Sequence, residues 1–396
     1  MWIRDGSPSR ISARGGLGAV MGSKRIKAIV MDDEGCKKPA IVDPDQYKEA
    51  QAKYTKALLD HPQTQAYADY GTAPMTQICN NFGALPTRNF SSGEFEGAEN
   101  ISGETMRETL LERGGESETT HACMLGCVIR CSNKYGGEDG KEIVSPLEYE
   151  TIGLMGSNLG IDDLDVVARL NRKANDLGID TIEIGAALGV AAEAGLMDFG
   201  DGDRALELME EIRLGTPLGR LLGNGAMITG KVLGVERVAA VKGQAMSSYD
   251  PRAIKGTGVT YATSPQGADH TCGLTIRGKI DRLDPKAPHV EMSRNSQISM
   301  AGYDTLGSCI FAGFGFGQAP GAIQGLLNGQ YGWHVEEDIL QKLGRETLEI
   351  EREFNVMAGF TKADDRIPEW MTHKKLPPHD AVFDVPDEDL DSVFDW

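Results

Sequence analysis

Three cysteines, Cys123, Cys127 and Cys131, crowd into one short stretch of a chain that carries seven in all. An odd count, behind a start (MWIRDGSPSR) with neither the apolar stretch nor the cleavage pattern of a secretory leader, argues against a disulfide framework. Crowded thiols in a reducing compartment point to a metal or cluster site. In a continuous helix these three would spread over about 12 Å at about 1.5 Å per residue, too far for one centre. The chain must therefore loop around the site, and Gly126 gives the backbone the freedom to do so. Cysteine ligation of an iron–sulfur cluster takes four thiolates. Cys309, in DTLGSC between a glycine turn and the run FAGFGFG, is the best candidate for the fourth. The residues alone leave other readings open. A structural zinc ion completed by His121 or Cys309 is one, although paired C-x2-C spacing is absent; a chance group of buried thiols is another. A radical-type C-x3-C-x2-C pattern is missed by one residue.

Around this constellation the periodicity is mainly helical. Residues 10–30 read as a basic, Gly-rich loop followed by a short strand at Ile26, Ala28, Ile29 and Val30. That order is the reverse of a phosphate loop, which leaves a strand and opens a helix. Tyr47, Ala50, Tyr54 and Leu58 predict a helix within 43–68, interrupted at Pro62. Residues 72–102, rich in Gly, Asn, Pro and Phe, read as a long ordered loop. Asp162 or Asp163 caps a helix with the stripe Val166, Val167, Leu170 and Ala174 that ends at Gly178. A second helix, from Thr181 to Gly195, is apolar all round and must be buried. One or two helices follow over 203–234, broken near Gly215. The Gly/Ser/Thr-rich stretch 242–278 breaks the helical signal and reads as a domain seam. Helices resume near Ser293–Asp304 and Val335–Phe354, the latter with Ile339, Leu340, Leu343 and Ile350 on one face. The acidic tail 379–396 is weakly patterned and reads as loosely packed.

With 396 residues, 40% of them hydrophobic, the chain can build at least two packed units. Its 59 acidic against 40 basic side chains give a formal charge of −19, which repels phosphate backbones and anionic lipid. No run of about 18 apolar residues exists to span a bilayer. The expectation is a soluble, cytoplasmic protein with neither nucleic acid nor membrane as a partner.

Seven segments, in order, are similar to those of the tungsten-containing aldehyde:ferredoxin oxidoreductases: ARGGLGAVMGSKRIKAI (13–29), the cysteine triplet, PLEYETIGLMGSNLGI (146–161), NDLGIDTIEIG (175–185), KGQAMSSYDPRAIKGTGVTYATS (242–264), DTLGSC (304–309) and FNVMAGFTKADDRIPEWM (354–371). The resemblance implies a mainly α fold with two helical domains, 39–243 and 244–396, around a cluster and pterin site. Residues 1–38 would be a short β remnant of the family's N-terminal pterin-binding domain. It also implies aldehyde oxidation to a carboxylic acid, with a [4Fe-4S] cluster on Cys123, Cys127, Cys131 and Cys309 passing electrons to ferredoxin, and a tungsten or molybdenum bis-pterin. Two related motifs would each hold one pterin, through Asn175, Gly178 and Asp180 and through Asp304, Gly307 and Cys309; Arg14 would join them in binding the cofactor. On residues alone Asp180 is a helix cap ahead of Thr181. Glu150 matches the family's active-site glutamate, with Glu148 the close alternative, and His270 is the implied proton donor.

Three departures accompany the likeness. The first cysteine spacing is C-x3-C where the family shows C-x2-C, and Gln266 and Asp269 stand where the family tends to have Arg and a small or thiol residue. Where the family has a β-rich domain ahead of the first segment, only about ten residues precede that segment in this sequence. Two expectations stand side by side: another chain supplies the missing half and joins ferredoxin, the aldehyde and a second copy in a homodimer as a partner, or the sequence is a fragment that cannot hold tungsten. The alternative is a cluster-bearing electron-transfer subunit without aldehyde chemistry of its own. Lys24, Arg25 and Lys27 are the candidate basic patch for an acidic ferredoxin, or equally a solvated loop face.

Overall fold

The computed structural model describes residues 2–4, 7–11, 14–37 and 39–396, with the side chains of 2–4 and 7–10 outside the description. Ala13, the first residue of the first resembling segment, and parts of the 1–38 unit therefore lie outside the described residues. Helices dominate, and the described strands form three small antiparallel sheets. A hairpin of Trp2–Arg4 and Ser7–Arg10 stands where the β remnant is expected. The chain beyond it departs from the expected loop and strand. Leu17–Ser23 is a helix, and residues 24–33 form no strand. A strand needs a neighbour for its N–H and C=O groups, and none among the described residues pairs with 26–30. Ile29 and Val30 are 74% and 89% exposed.

The paired helices that carry the second resembling motif follow their sequence signals. Asp163 caps the helix Leu164–Leu177 by accepting from the N–H groups of Asp165 (2.8 Å) and Val166 (3.2 Å). Gly178, at φ 73°, takes the left-handed turn that ends it. Asp180 then caps Thr181–Glu193, accepting from Ile182 and Glu183 N–H at 3.2 Å each. Apolar residues dominate that second helix, and every position from Ile184 to Ala192 is buried. Pro62 separates Pro44–Asp60 from Pro62–Tyr70 by opening the second of them, where its missing N–H costs nothing.

Elsewhere local signals mislead. The loop 72–102 contains the helix Met75–Asn81, and 202–233 folds as three helices, not one or two. Within the stretch 242–278, residues 244–264 are buried throughout, among them the helix Lys255–Thr263. Residue 243 sits in the turn of a hairpin whose strands pair Ala240 with Ala245. One buried apolar cluster runs from Ala73 to Val393, across this turn. Small residues pack the segment closely, so low apolar content does not mean exposure. On Ile339–Met357 the buried face is Leu340, Gly344 and Leu348, and Ile350 points outward. The acidic tail is docked, not loose: Phe383, Val385, Leu390 and Val393 are all buried, and the Trp396 indole donates to Glu349.

Candidate active site

The cysteine triplet lies on the loop of a β-hairpin. Glu118–His121 pairs with Ser132–Gly136, and the pairing of His121 with Ser132 closes residues 122–131 into a loop. Gly126 sits at φ 83°, as looping around a site requires. Cys131 is buried, Cys123 and Cys127 are half-buried, and Cys309 is exposed. Burial first, then the charges of Glu148, Cys309, Cys123 and Cys127, push the Cys131 thiol up to about 12, so all four cysteines fall in one electrostatic neighbourhood. That neighbourhood has its own small apolar core of Leu58, Ile129 and Cys131, flanked by Tyr54, Tyr67, Phe311 and Phe314. Tyr67 meets the Phe311 ring at 4.5 Å between centroids, and His61 meets Phe314 at 4.4 Å. Among the described residues no three ligating side chains lie close enough for a single metal ion.

Glu150 and His270, 120 residues apart, meet. Glu150, in the helix Tyr149–Met155, has Oε1 3.2 Å from His270 Nε2, and its Oε2 accepts from the Ser248 N–H at 2.9 Å. Glu148 instead stands on the cysteine side, near Cys131. Behind Glu150, burial and then the Glu150 charge hold the Tyr249 hydroxyl well above its ordinary range. Tyr149 and Tyr261 are raised in the same way, burial leading.

Arg14 gathers the remaining pieces. Its Nη1 donates to Asp180 Oδ2 at 2.9 Å, Nε to Asp269 Oδ2 at 3.1 Å, and Nη2 to the carbonyls of Ala245 (2.7 Å) and Ala268. Four of its five N–H groups are thereby engaged. Asp180 serves as cap and ion-pair partner together, which a carboxylate with about four lone-pair sites can do while still accepting another donor. Two cavities flank this clasp. One, about 560 Å³, is lined by Arg14, Asp180, Glu183, Lys242 and a series of glycines that includes Gly178. The other, about 240 Å³, is lined by Arg14, Glu148, Asn175 and Asp180. Gly178 and Gly307 share one conformation, φ 73° and 65°, and no atom lies within 4 Å of where a Cβ would stand on either. A planar ring can therefore approach the backbone at both motifs. Asp304 is exposed on one side; the protein packed on the other, then the charge of Asp269, push its carboxyl up.

A reading of single residues overlooks several participants. Glu183 is pushed up by burial while it accepts from Ala226 N–H (2.9 Å) and Ala245 N–H (2.8 Å), tying the cavity wall together. Its signal was its place three residues after Asp180 in a resembling segment. Ser247 and Asp269 both contact His270, and Cys272, raised to about 12 by burial and then by Asp269, lies beside them.

A sequence model of aldehyde ferredoxin oxidoreductase, domains 2 and 3, matches residues 49–395. The chain belongs to the aldehyde ferredoxin oxidoreductase family. It is 32% identical over 395 positions to the tungsten-containing aldehyde ferredoxin oxidoreductase of Pyrococcus horikoshii, and 31% identical over 393 to that of Thermococcus kodakarensis. Each match covers 93% of this chain and 63% of the relative, so the chain spans just under two thirds of their length. A more distant relative, 26% identical over 287 residues, is the WOR-like subunit of an aliphatic sulfonate oxidoreductase from Pyrococcus furiosus. In fold, the chain resembles the BamBC active-site complex of benzoyl coenzyme A reductase with a TM-score of 0.67 at 16% identity, over 96% of this chain and 66% of that one. No helix of the described residues is long and apolar enough to cross a membrane.

Proposed function

We propose that this chain is the catalytic and cluster-bearing part of an oxidoreductase that converts aldehydes to carboxylic acids and passes electrons to ferredoxin. The observation that carries the proposal is the meeting of Glu150 and His270 at 3.2 Å, beside cavities lined by Gly178, Asn175 and Asp180. The side chains present suit the family's cofactors. Asn175 and Asp180 would take the N–H groups of one pterin and Asp304 those of the other, with Gly178 and Gly307 admitting the rings. Cys123, Cys127, Cys131 and Cys309 would hold the [4Fe-4S] cluster. A tungsten or molybdenum bis-pterin, when bound, supplies the two-electron acceptor for the aldehyde.

The chain's own residues supply proton handling and enclosure. Glu150, fixed by the Ser248 N–H, is the base for water or the hydrated aldehyde, and His270 Nε2 opposite it moves the proton. Tyr149, Tyr249 and Tyr261 wall the pair with groups that remain neutral. Exposed Leu17, Val20, Ile29, Val30 and Met31 leave apolar surface next to the cavity mouth that Gly15, Gly16 and Ala19 line, which supports a further domain or chain packing there. Anaerobic purification with elemental analysis, followed by aldehyde-dependent reduction of ferredoxin, tests the proposal. Iron with tungsten or molybdenum and aldehyde-dependent turnover is expected. Iron alone, without turnover, would replace it with the electron-transfer subunit reading.

A further inference from the structure

His270 has two nitrogens, and the chain treats them differently. On the Nε2 side stands the Glu150 carboxylate, at 3.2 Å. On the Nδ1 side stand the Ser247 hydroxyl at 2.8 Å and Asp269 Oδ1 at 3.5 Å. Asp269 is 2% exposed and held rigidly: its Oδ1 accepts from Thr271 N–H (2.8 Å) and Oγ1 (2.9 Å), its Oδ2 from Gln266 Nε2 (2.9 Å) and Arg14 Nε (3.1 Å). Those four donors keep it charged. The other groups facing the imidazole are Tyr249, whose ring centroid lies 5.7 Å away, and, one layer further out, Arg14 and Tyr261. Ser247 is fully buried, and the Tyr261 hydroxyl lies beside it. The serine proton can therefore turn towards Tyr261, leaving its oxygen to accept from Nδ1.

Resting on the catalytic reading of Glu150 and His270, we propose that Ser247 and Asp269 are positioning residues that keep a proton on His270 Nδ1. Nε2 is then the working nitrogen, and one mobile proton is shared between it and Glu150. The arrangement follows the logic by which a buried carboxylate fixes the tautomer of a catalytic imidazole, here with a hydroxyl as the direct acceptor. Oxidation of the aldehyde with water releases two protons along with the two electrons that go to ferredoxin; Glu150 and Nε2 take up those protons and pass them to solvent, while the Nδ1–H bond persists through the cycle.

Nitrogen NMR of the full chain with labelled histidine tests this without any cofactor chemistry. The chain has seven histidines, and His270→Gln identifies the signal. With the imidazole neutral, the expected pattern is a locked Nδ1–H tautomer, against the Nε2–H preference of free imidazole. Ser247→Ala, which removes the direct acceptor, and Asp269→Asn should each loosen the lock and move both nitrogen shifts towards averaged values. A wild-type His270 in the Nε2–H form, or an unchanged pattern in both variants, overturns the proposal; the wild-type spectrum decides even if a variant does not fold. A locked Nδ1–H form in a chain with no aldehyde-dependent reduction would remove the aldehyde reading and leave this one standing.

Discussion

Replacing Arg14 with Met keeps the length of the side chain and removes the guanidinium that joins three segments of the site. The Arg14 side chain is 15% exposed, Asp180 14% and Asp269 3%, so the ion pairs are largely out of water. Removing one partner of such a pair costs about 3–5 kcal/mol because a buried charge is left behind. Both carboxylates keep other donors here, Asp180 the two N–H groups it caps and Asp269 those of Gln266 and Thr271. That places the loss at the lower end, about 3 kcal/mol, or roughly a hundredfold in the folding equilibrium at about 1.4 kcal/mol per tenfold. The assay is urea unfolding of Arg14→Met, Asp269→Asn and the double variant. Because Asp269→Asn removes one of the stranded charges, the double variant should lose less than the sum of the singles, by about 1–3 kcal/mol. An Arg14→Met chain within about 0.5 kcal/mol of the parent, or strict additivity, would refute the clasp.

Four further outcomes follow from the same geometry. Glu150→Gln should lower aldehyde-dependent turnover by about a hundredfold or more while leaving iron content unchanged; equal turnover would exclude Glu150 as the base. Cys127→Ala should lose iron and visible absorbance together, and retained iron would take Cys127 out of the ligand set. Gly153→Ala would bring a methyl to 2.1 Å from Ser248 Oγ, displacing the residue that anchors Glu150, so turnover should fall more than global stability; thermal melts run beside kinetics separate the two. Burial pushes the Asp165 carboxyl up, but Arg113 and Tyr135 outweigh it and hold it below its ordinary 3.8. Its contribution to stability is therefore complete above the unfolded value and lost as pH falls through the folded one. Asp165→Asn should flatten the acid limb of stability below about pH 4, and an unchanged limb would show that the Arg113–Asp165 pair contributes nothing there.

Much of the architecture was legible wherever a local signal was sufficient. Asp163 and Gly178 bracket a helix because a carboxylate at the start and a left-handed residue at the end satisfy backbone groups of adjacent residues. Thr181–Glu193 announced its burial by having no polar face. The three cysteines do lie on a loop and not along a helix. The errors have a common origin. Ile26–Val30 has the composition of a strand but no partner strand among the described residues. Residues 242–278 look like a seam because they are small and polar, yet Thr257, Thr260 and Ser264 are buried; Thr257 bonds to Thr275, and Thr260 to Ser293 and the Gly273 carbonyl. The tail from 379 is acidic overall, but four apolar side chains were enough to dock it.

The sequence by itself determined the family, through seven ordered segments, and the helical class, through period and caps, because both are properties of residues near one another along the chain. It could name Glu150, His270, Asp180 and Arg14 but not say what each touches. Only the tertiary structure decided that Glu150 rather than Glu148 faces His270, that Asp180 caps a helix and pairs with Arg14 at once, and that Asp269 binds both Arg14 and the histidine loop. Those contacts join residues as far as 255 positions apart. They exist because a single core folds the helix at 149–155, the hairpin at 240–245 and the loop at 265–271 onto one another, an outcome of packing that no local window contains.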